Sequence, residues 1–276
     1  MLGAALLHAG WNALAKRGGD PVLFLWCVGG LATALYCPLG LWVLAQRGLP
    51  LAAVPFVVAT VVLHSLYFFT LGRAYRAGDF SLVYPVARGL GVALVPMLAL
   101  ALFEERLSPL GATGVGLVAA GIFSLHWRPG AWTRAALLAS GTGWAIATGV
   151  LIASYSLVDK AGVARLHPIP YIWLMEAGAV ILLTPVALAR RGAIGHEWRD
   201  NWRTITLAAV MSPTGYLLVL FAFQLSKTAY VVAAREMSIV LSAIIGSVWL
   251  GEGSLGRRLL GSAVVLAGVA CVALAR

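Results

Sequence analysis

The stretch Thr228-Ala229-Tyr230-Val231-Val232-Ala233-Ala234-Arg235-Glu236-Met237-Ser238-Ile239-Val240-Leu241, which runs on apolar to Trp249, is interrupted by one charged couple, Arg235-Glu236. An ionised guanidinium near a bilayer centre costs from ~3 kcal/mol on insertion scales to more than about 10 kcal/mol in simulations, so such a residue faces a bundle interior, a water-filled cavity or a partner. Moving 147 positions toward the N-terminus reaches a second apolar stretch, Phe80 to Phe103, with Arg88 at the equivalent place. The same offset relates Glu252 to Glu105, Gly261 to Gly114, Gly268 to Gly121 and Trp173 to Trp26. The chain therefore reads as two copies, residues 1–127 and 132–276, each with an arginine at the same point of its fourth segment.

Composition agrees with a chain built for lipid. Of 276 residues, 61% are hydrophobic and 11% charged, against roughly 25% charged in soluble domains. A net charge of +10 without aromatic-basic interleaving points to anionic headgroups at the loops and away from nucleic acid. Cys27, Cys37 and Cys271 are widely spaced in apolar segments. They offer neither a disulfide framework nor a metal site and are expected to pack as small hydrophobes. No cleavable leader is read at the N-terminus, where His8, Trp11 and Asn12 interrupt the apolar run. The first segment is short for a span; it either borrows Lys16 by snorkelling or lacks residues ahead of Met1.

Ten hydrophobic segments follow one another, at about 1–16, 21–45, 52–75, 79–102, 107–126, 134–157, 168–189, 204–225, 228–250 and 255–275. The expected fold is an all-α integral membrane protein of ten transmembrane helices in two five-helix repeats. Five helices per half is an odd number, so the second copy is inverted relative to the first, as in secondary transporters with a midplane site. Trp127 to Ala131 links the halves, and Arg190 to Arg203 is the longest polar stretch. Lys and Arg favour the loops after odd-numbered segments, which by the positive-inside rule puts both termini outside.

Candidate site residues cluster by helical spacing. Thr228, Arg235, Ser238 and Ser242 share one face of the ninth segment, and Ser81, Tyr84, Arg88 and Gly91 one face of the fourth. Two guanidiniums on a common cavity would hold an anionic group through charge-assisted bonds; the structural alternative is that each pairs with a carboxylate, Glu236 or Glu176. Glu236 lies about 100° round the helix from Arg235 and so can face a neighbouring helix. Glu176, whose counterpart is Gly29, breaks the symmetry. It would hold a substrate ammonium or a coupling proton, or else neutralise Arg88, Arg235 or Lys160. Trp11, Asn12, Tyr67 and Tyr155 are candidates for the rest of the lining. His8 and His64 read as interhelical hydrogen-bonders, and Asp159, Lys160 and Lys16 as snorkelling helix ends. The glycine rows Gly111-Gly114-Gly121 and Gly261-Gly268 suit close packing, of the fifth helix on the tenth or of a dimer.

His8-Ala9-Gly10-Trp11-Asn12-Ala13-Leu14-Ala15-Lys16, Tyr155 with Asp159-Lys160-Ala161-Gly162, and a glutamate (Glu105, Glu252) ahead of a glycine-bearing helix in each half resemble EamA-type members of the drug/metabolite transporter superfamily. The resemblance covers essentially the whole chain. It implies ten helices in two inverted halves and a central cavity lined by the first, third and fourth helix of each. It also implies peripheral fifth helices, transport of small metabolites or amino acids, often outward, and both termini in the cytoplasm, against the charge count. No His-Glu-x-x-His, Gly-x-Ser-x-Gly or phosphate-binding glycine loop supports an enzyme. The expected protein is a multi-pass carrier in the inner membrane, without cofactor or metal. A small molecule would be its substrate and the proton a candidate coupling ion, with monomer and homodimer both open. The alternative is a lipid-linked-sugar flippase or membrane enzyme.

Overall fold

The computed structural model describes residues 1–15, 20–77, 80–126, 140–238, 240 and 255–275. The described helices are α1 (Leu2–Ala15), α2 (Pro21–Arg47), α3 (Val54–Ala77, led in by a 3-10 turn at Leu51–Ala53), α4 (Phe80–Phe103) and α5 (Pro109–His126). They continue with α6 (Ser140–Val163), α7 (Pro168–Leu188), α8 (Arg191–Leu225), α9 (Thr228–Arg235) and α10 (Leu255–Leu274). Helix is the form that satisfies every backbone group inside an apolar segment. Pro21, Pro109 and Pro168 open helices where a missing N–H costs nothing. Gly48, at φ 73°, closes α2 by donating its N–H to Leu44 O at 2.7 Å.

Among the described residues, six helical stretches are long and apolar enough to cross a membrane: Leu23–Arg47, Leu51–Ala74, Val86–Phe103, Gly141–Val163, Pro168–Leu188 and Arg191–Leu225. Apolar stretches of α5 and α10 are shorter. Trp42, Met97, Ile181 and Leu266 stand exposed on outer faces, as side chains do where lipid is the solvent. The chain is a multi-pass membrane protein.

Helices pair across the two halves: α1 on α8, α2 on α7, α3 and α4 on α6, and α5 on α10. The α5–α10 contact is extensive and takes up Gly114, Gly121, Gly261 and Gly268, while Gly111 packs on Tyr230 of α9. A Cβ on Gly114 would stand 2.6 Å from Gly268 O, and one on Gly121 3.1 Å from Gly261 O. These rows therefore serve packing within one chain. The three cysteines are free thiols.

Two boundaries differ from the sequence reading. The polar stretch Arg190 to Arg203 is not a loop: α8 begins at Arg191 and runs 35 residues, about 52 Å at 1.5 Å per residue. No proline lies in its polar first part, residues 191–203, and Glu197 anchors the extension by accepting from Asp20 N at 3.1 Å and Asn201 Nδ2 at 2.8 Å. Arg190 adds an ion pair to Asp20 at 2.5 Å. Segment 228–250 is likewise not one continuous helix. α9 ends at Arg235, the chain turns at Glu236, and helical backbone resumes at Met237 and Ser238. Beyond Val240 that segment lies outside the described residues.

Candidate functional site

The short helix α9 is held at its start by Glu105, which accepts from Thr228 N at 2.7 Å and Thr228 Oγ1 at 3.0 Å. A carboxylate there satisfies free N–H groups and suits the positive end of the helix. Thr228, expected on the binding face, is spent on this cap. Lys160 locks the same corner: its ammonium donates to the carbonyls of Phe223 and Ser226 at the end of α8 and lies 4.0 Å from Glu105.

Eight residues on, the interruption at Glu236 folds its carboxylate back between two arginines. Glu236 Oε1 lies 3.3 Å from Arg88 Nη1 and 3.4 Å from Arg235 Nε. Arg235 Nη1 donates to the Tyr155 hydroxyl at 3.3 Å, and its guanidinium stands 5.9 Å from the centre of the Tyr155 ring. Arg235 and Glu236 are 1% exposed and Arg88 8%. Of the two expectations for the arginines, a common cavity or a carboxylate partner, the contacts show the second with Glu236: both are closed on one carboxylate, because the turn at Glu236 brings it within reach of α4 as well as its own helix. The closure is incomplete, since among the described residues Arg235 Nη2 and Glu236 Oε2 are buried without a hydrogen-bond partner. The group thus holds two cations and one anion, with a donor and an acceptor unspent, and buried polar atoms in that state are uncommon.

Ser238 is buried just beyond. Tyr67 lies 5.5 Å, ring to ring, from Tyr155 and 6.5 Å from His64. Gly91 does not face a cavity: it packs against α6, where a Cβ would stand 2.6 Å from Ile152. The side chains of Asn12 and Tyr84, and Ser242 altogether, lie outside the described residues.

Glu176 is apart from the arginines. Of its expected partners Arg88, Arg235 and Lys160, it pairs with none among the described residues. Instead it lines a cleft between α1, α2, α3, α7 and α8 with Trp11, Trp26, Phe68 and Ser212. The cleft measures about 400 Å³ out to its mouth, and its enclosed part takes only a water or two. Gly29, the residue matching Glu176 in the first half, makes this room: a Cβ there would stand 3.5 Å from Glu176 Oε2. Trp11 Nε1 is buried with no acceptor.

Sequence reasoning misplaced Asp159. It is not a snorkelling helix end but wholly buried, with three hydroxyls around it. Thr60 Oγ1 donates to Oδ1 at 2.5 Å, the Tyr171 hydroxyl to Oδ1 at 2.8 Å, and the Tyr216 hydroxyl to Oδ2. These donors come from α3, α7 and α8, so one carboxylate ties four helices together. The available signal was the Thr60-His64 spacing of four, which puts a hydroxyl and an imidazole on one face of α3.

Residues 139–274 match the model of the EamA-like transporter family. An uncharacterized transporter of Synechocystis sp. is 29% identical over 117 residues, 42% of this chain and 34% of that protein. An uncharacterized membrane protein of Bacillus subtilis is 34% identical over 62 residues, 22% of this chain and 50% of its own. An alpha-(1->3)-arabinofuranosyltransferase of Mycobacterium tuberculosis is 29% identical over 145 residues, 47% of this chain but 9% of its own. The matches thus span half or less of each relative's length. A crystal structure 18% identical superposes with a TM-score of 0.75 over 99% of this chain and 94% of that one, which shows a shared fold. The likeness to the EamA-like transporter family, whose type falls within the drug/metabolite transporter superfamily, is thus carried by the second half of the chain, residues 139–274.

Proposed function

We infer that the protein is a secondary transporter of a small metabolite of the amino acid or organic anion class, working outward by alternating access of two inverted five-helix halves in the inner membrane. The observation that carries this reading is the unspent pair at the α9 interruption. Among the described residues, Arg235 Nη2 is a buried donor without an acceptor, and Glu236 Oε2 a buried acceptor without a donor. A carboxylate and an ammonium on one carbon answer both, so an amino acid head group fits. Interrupted helices at mid-depth are where carriers of this architecture hold charged substrates.

The contacts support two equivalent halves. Exchanging residues at the 147 offset turns the Gly114–Gly268 contact into the Gly261–Gly121 contact, and both occur. It turns the Gly29–Glu176 neighbours into each other. The arrangement is a closed stage of the cycle, with Glu236 standing where a substrate carboxylate would compete for Arg88 and Arg235. In this reading Trp11, Tyr67, Tyr155 and Ser238 belong to the lining, and Glu176 offers a second anchor for a cation.

Purified protein in liposomes should show counterflow of a labelled member of an amino acid and organic acid panel. Arg235→Ala should remove it, by on the order of 100-fold, while the protein stays monodisperse. Unchanged counterflow by that variant rejects the assigned site. A second reading, handling of a lipid-linked sugar, draws on the similarity to the arabinofuranosyltransferase. It requires translocation of a labelled glycolipid and no counterflow of water-soluble substrates.

A further inference from the structure

The hydroxyls around Asp159 decide the state of a neighbour. Thr60, Tyr171 and Tyr216 each have one hydroxyl proton, and all three are directed at the carboxylate. His64 Nδ1 lies 3.1 Å from Thr60 O and 3.0 Å from Thr60 Oγ1. The carbonyl only accepts, and the Thr60 hydroxyl has given its proton to Asp159. Nδ1 must then carry the imidazole hydrogen. Neutral His64 accordingly turns the bare lone pair of Nε2 toward Asp159 Oδ2, 3.9 Å away. Two acceptors confront each other in a buried interior, with His64 4% and Asp159 0% exposed.

We propose that the gap between His64 Nε2 and Asp159 Oδ2 is a binding site for one proton, the coupling ion of the carrier. The proton is delivered by hydronium, which leaves as water, and adds to the Nε2 lone pair; imidazolium and carboxylate become an ion pair. The coupling role rests on the transport reading, whereas the proton site does not.

The charged and titratable groups around His64 on the described elements are few. Asp159 and Tyr155 face it from α6, Tyr216 from α8 and Tyr67 from its own helix. Tyr171 of α7 and His8 of α1 stand one contact further, against Asp159 and Tyr216. Arg235 of α9 stands across the Tyr155 ring.

That ring is the link to the substrate site. His64 stacks on Tyr155 with centroids 4.2 Å apart, and the hydroxyl of Tyr155 accepts from Arg235. A proton on His64 puts a second cation against the ring that already faces the guanidinium. Like charges on either side of one aromatic ring repel, which loosens Arg235 from its present contacts and frees it for exchange.

The test uses histidine-labelled full-length protein in lipid nanodiscs with no substrate, read by nitrogen NMR, with His64 assigned through His64→Gln. His64 should show the Nδ1–H tautomer at high pH and take a proton at Nε2 on acidification. Asp159→Asn should weaken that proton's binding about tenfold or more, a pH unit downward. Tyr216→Phe leaves the carboxylate charged but short of a donor and should strengthen it, so the two variants move in opposite directions. If Asp159→Asn does not fold, Tyr216→Phe decides. A His64 signal in one neutral form across about pH 5 to 8, or midpoints unmoved in both variants, overturns the site. Counterflow independent of pH beside a normal His64 titration overturns the coupling. Absence of any counterflow beside a normal titration overturns the transport reading and leaves the proton site intact.

Discussion

Two buried polar groups lie on either side of the Tyr155 ring, and they are unequally complete. Around Asp159 every hydroxyl proton has an acceptor and both carboxylate oxygens are used. Around Glu236 one carboxylate oxygen and one guanidinium nitrogen have no partner among the described residues. The first group joins four helices and is short only of a proton at His64. The second sits where a helix is broken and keeps a donor and an acceptor unspent. A satisfied network fixes a single arrangement, whereas an unsatisfied one marks where the arrangement is meant to change.

The sharpest way to break this contrast is to delete the central anion. Glu236→Ala leaves Arg88 and Arg235 buried, facing each other without the carboxylate that both now contact. Removing one partner of a buried ion pair costs about 3–5 kcal/mol, so a large drop in the thermal unfolding midpoint in detergent is expected. A midpoint within a degree or two of the parent would mean the guanidiniums already reach water, and that the closed cluster is misdescribed.

Tyr171→Phe probes the other group with a smaller effect. It removes one of the two donors to Asp159 Oδ1 but keeps the ring that fills the space beside Gly162. A hydrogen bond to a charged group contributes about 1.5–3 kcal/mol, and a loss in that range is expected by chemical denaturation. Counterflow should persist, because the residue touches no part of the arginine cluster. Loss of transport at unchanged stability would put Tyr171 in the substrate path and merge the two groups.

The contrast was only half legible in the sequence. Apolar length located the helices, and the cost of a guanidinium in lipid singled out Arg88 and Arg235. The offset that pairs those arginines also pairs the glycines that meet between α5 and α10. The break after Arg235 left no mark, because neither proline nor glycine stands at Glu236 and the run is apolar on both sides. Asp159 was misread for a related reason. Beside Lys160 near the end of a segment it has the pattern of an interfacial pair, and its donors lie 99, 12 and 57 positions away. Periodicity reports which residues share a face of one helix and is silent about a carboxylate satisfied from three others. The helical extension of α8 escaped because charge was taken for loop, whereas a charged segment without proline can stay helical past the lipid.

The smallest expected effect separates the groups most cleanly. Glu105 touches neither of them; it caps α9 through Thr228 and lies 4.0 Å from Lys160. Glu105→Ala frees the first N–H groups of a helix that is only eight residues long. Loss of such a cap costs about 1 kcal/mol, small against the stability of the whole bundle. It is not small for α9, whose far end carries Arg235 and the turn at Glu236. The variant should therefore unfold almost as the parent does and bind or exchange substrate several-fold more weakly. Its His64 titration should not change, because Thr60, Asp159, Tyr171 and Tyr216 stand on other helices. Should the titration move along with the affinity, α9 and the Asp159 network shift as one body, and the proton site and substrate site are a single polar cluster rather than two.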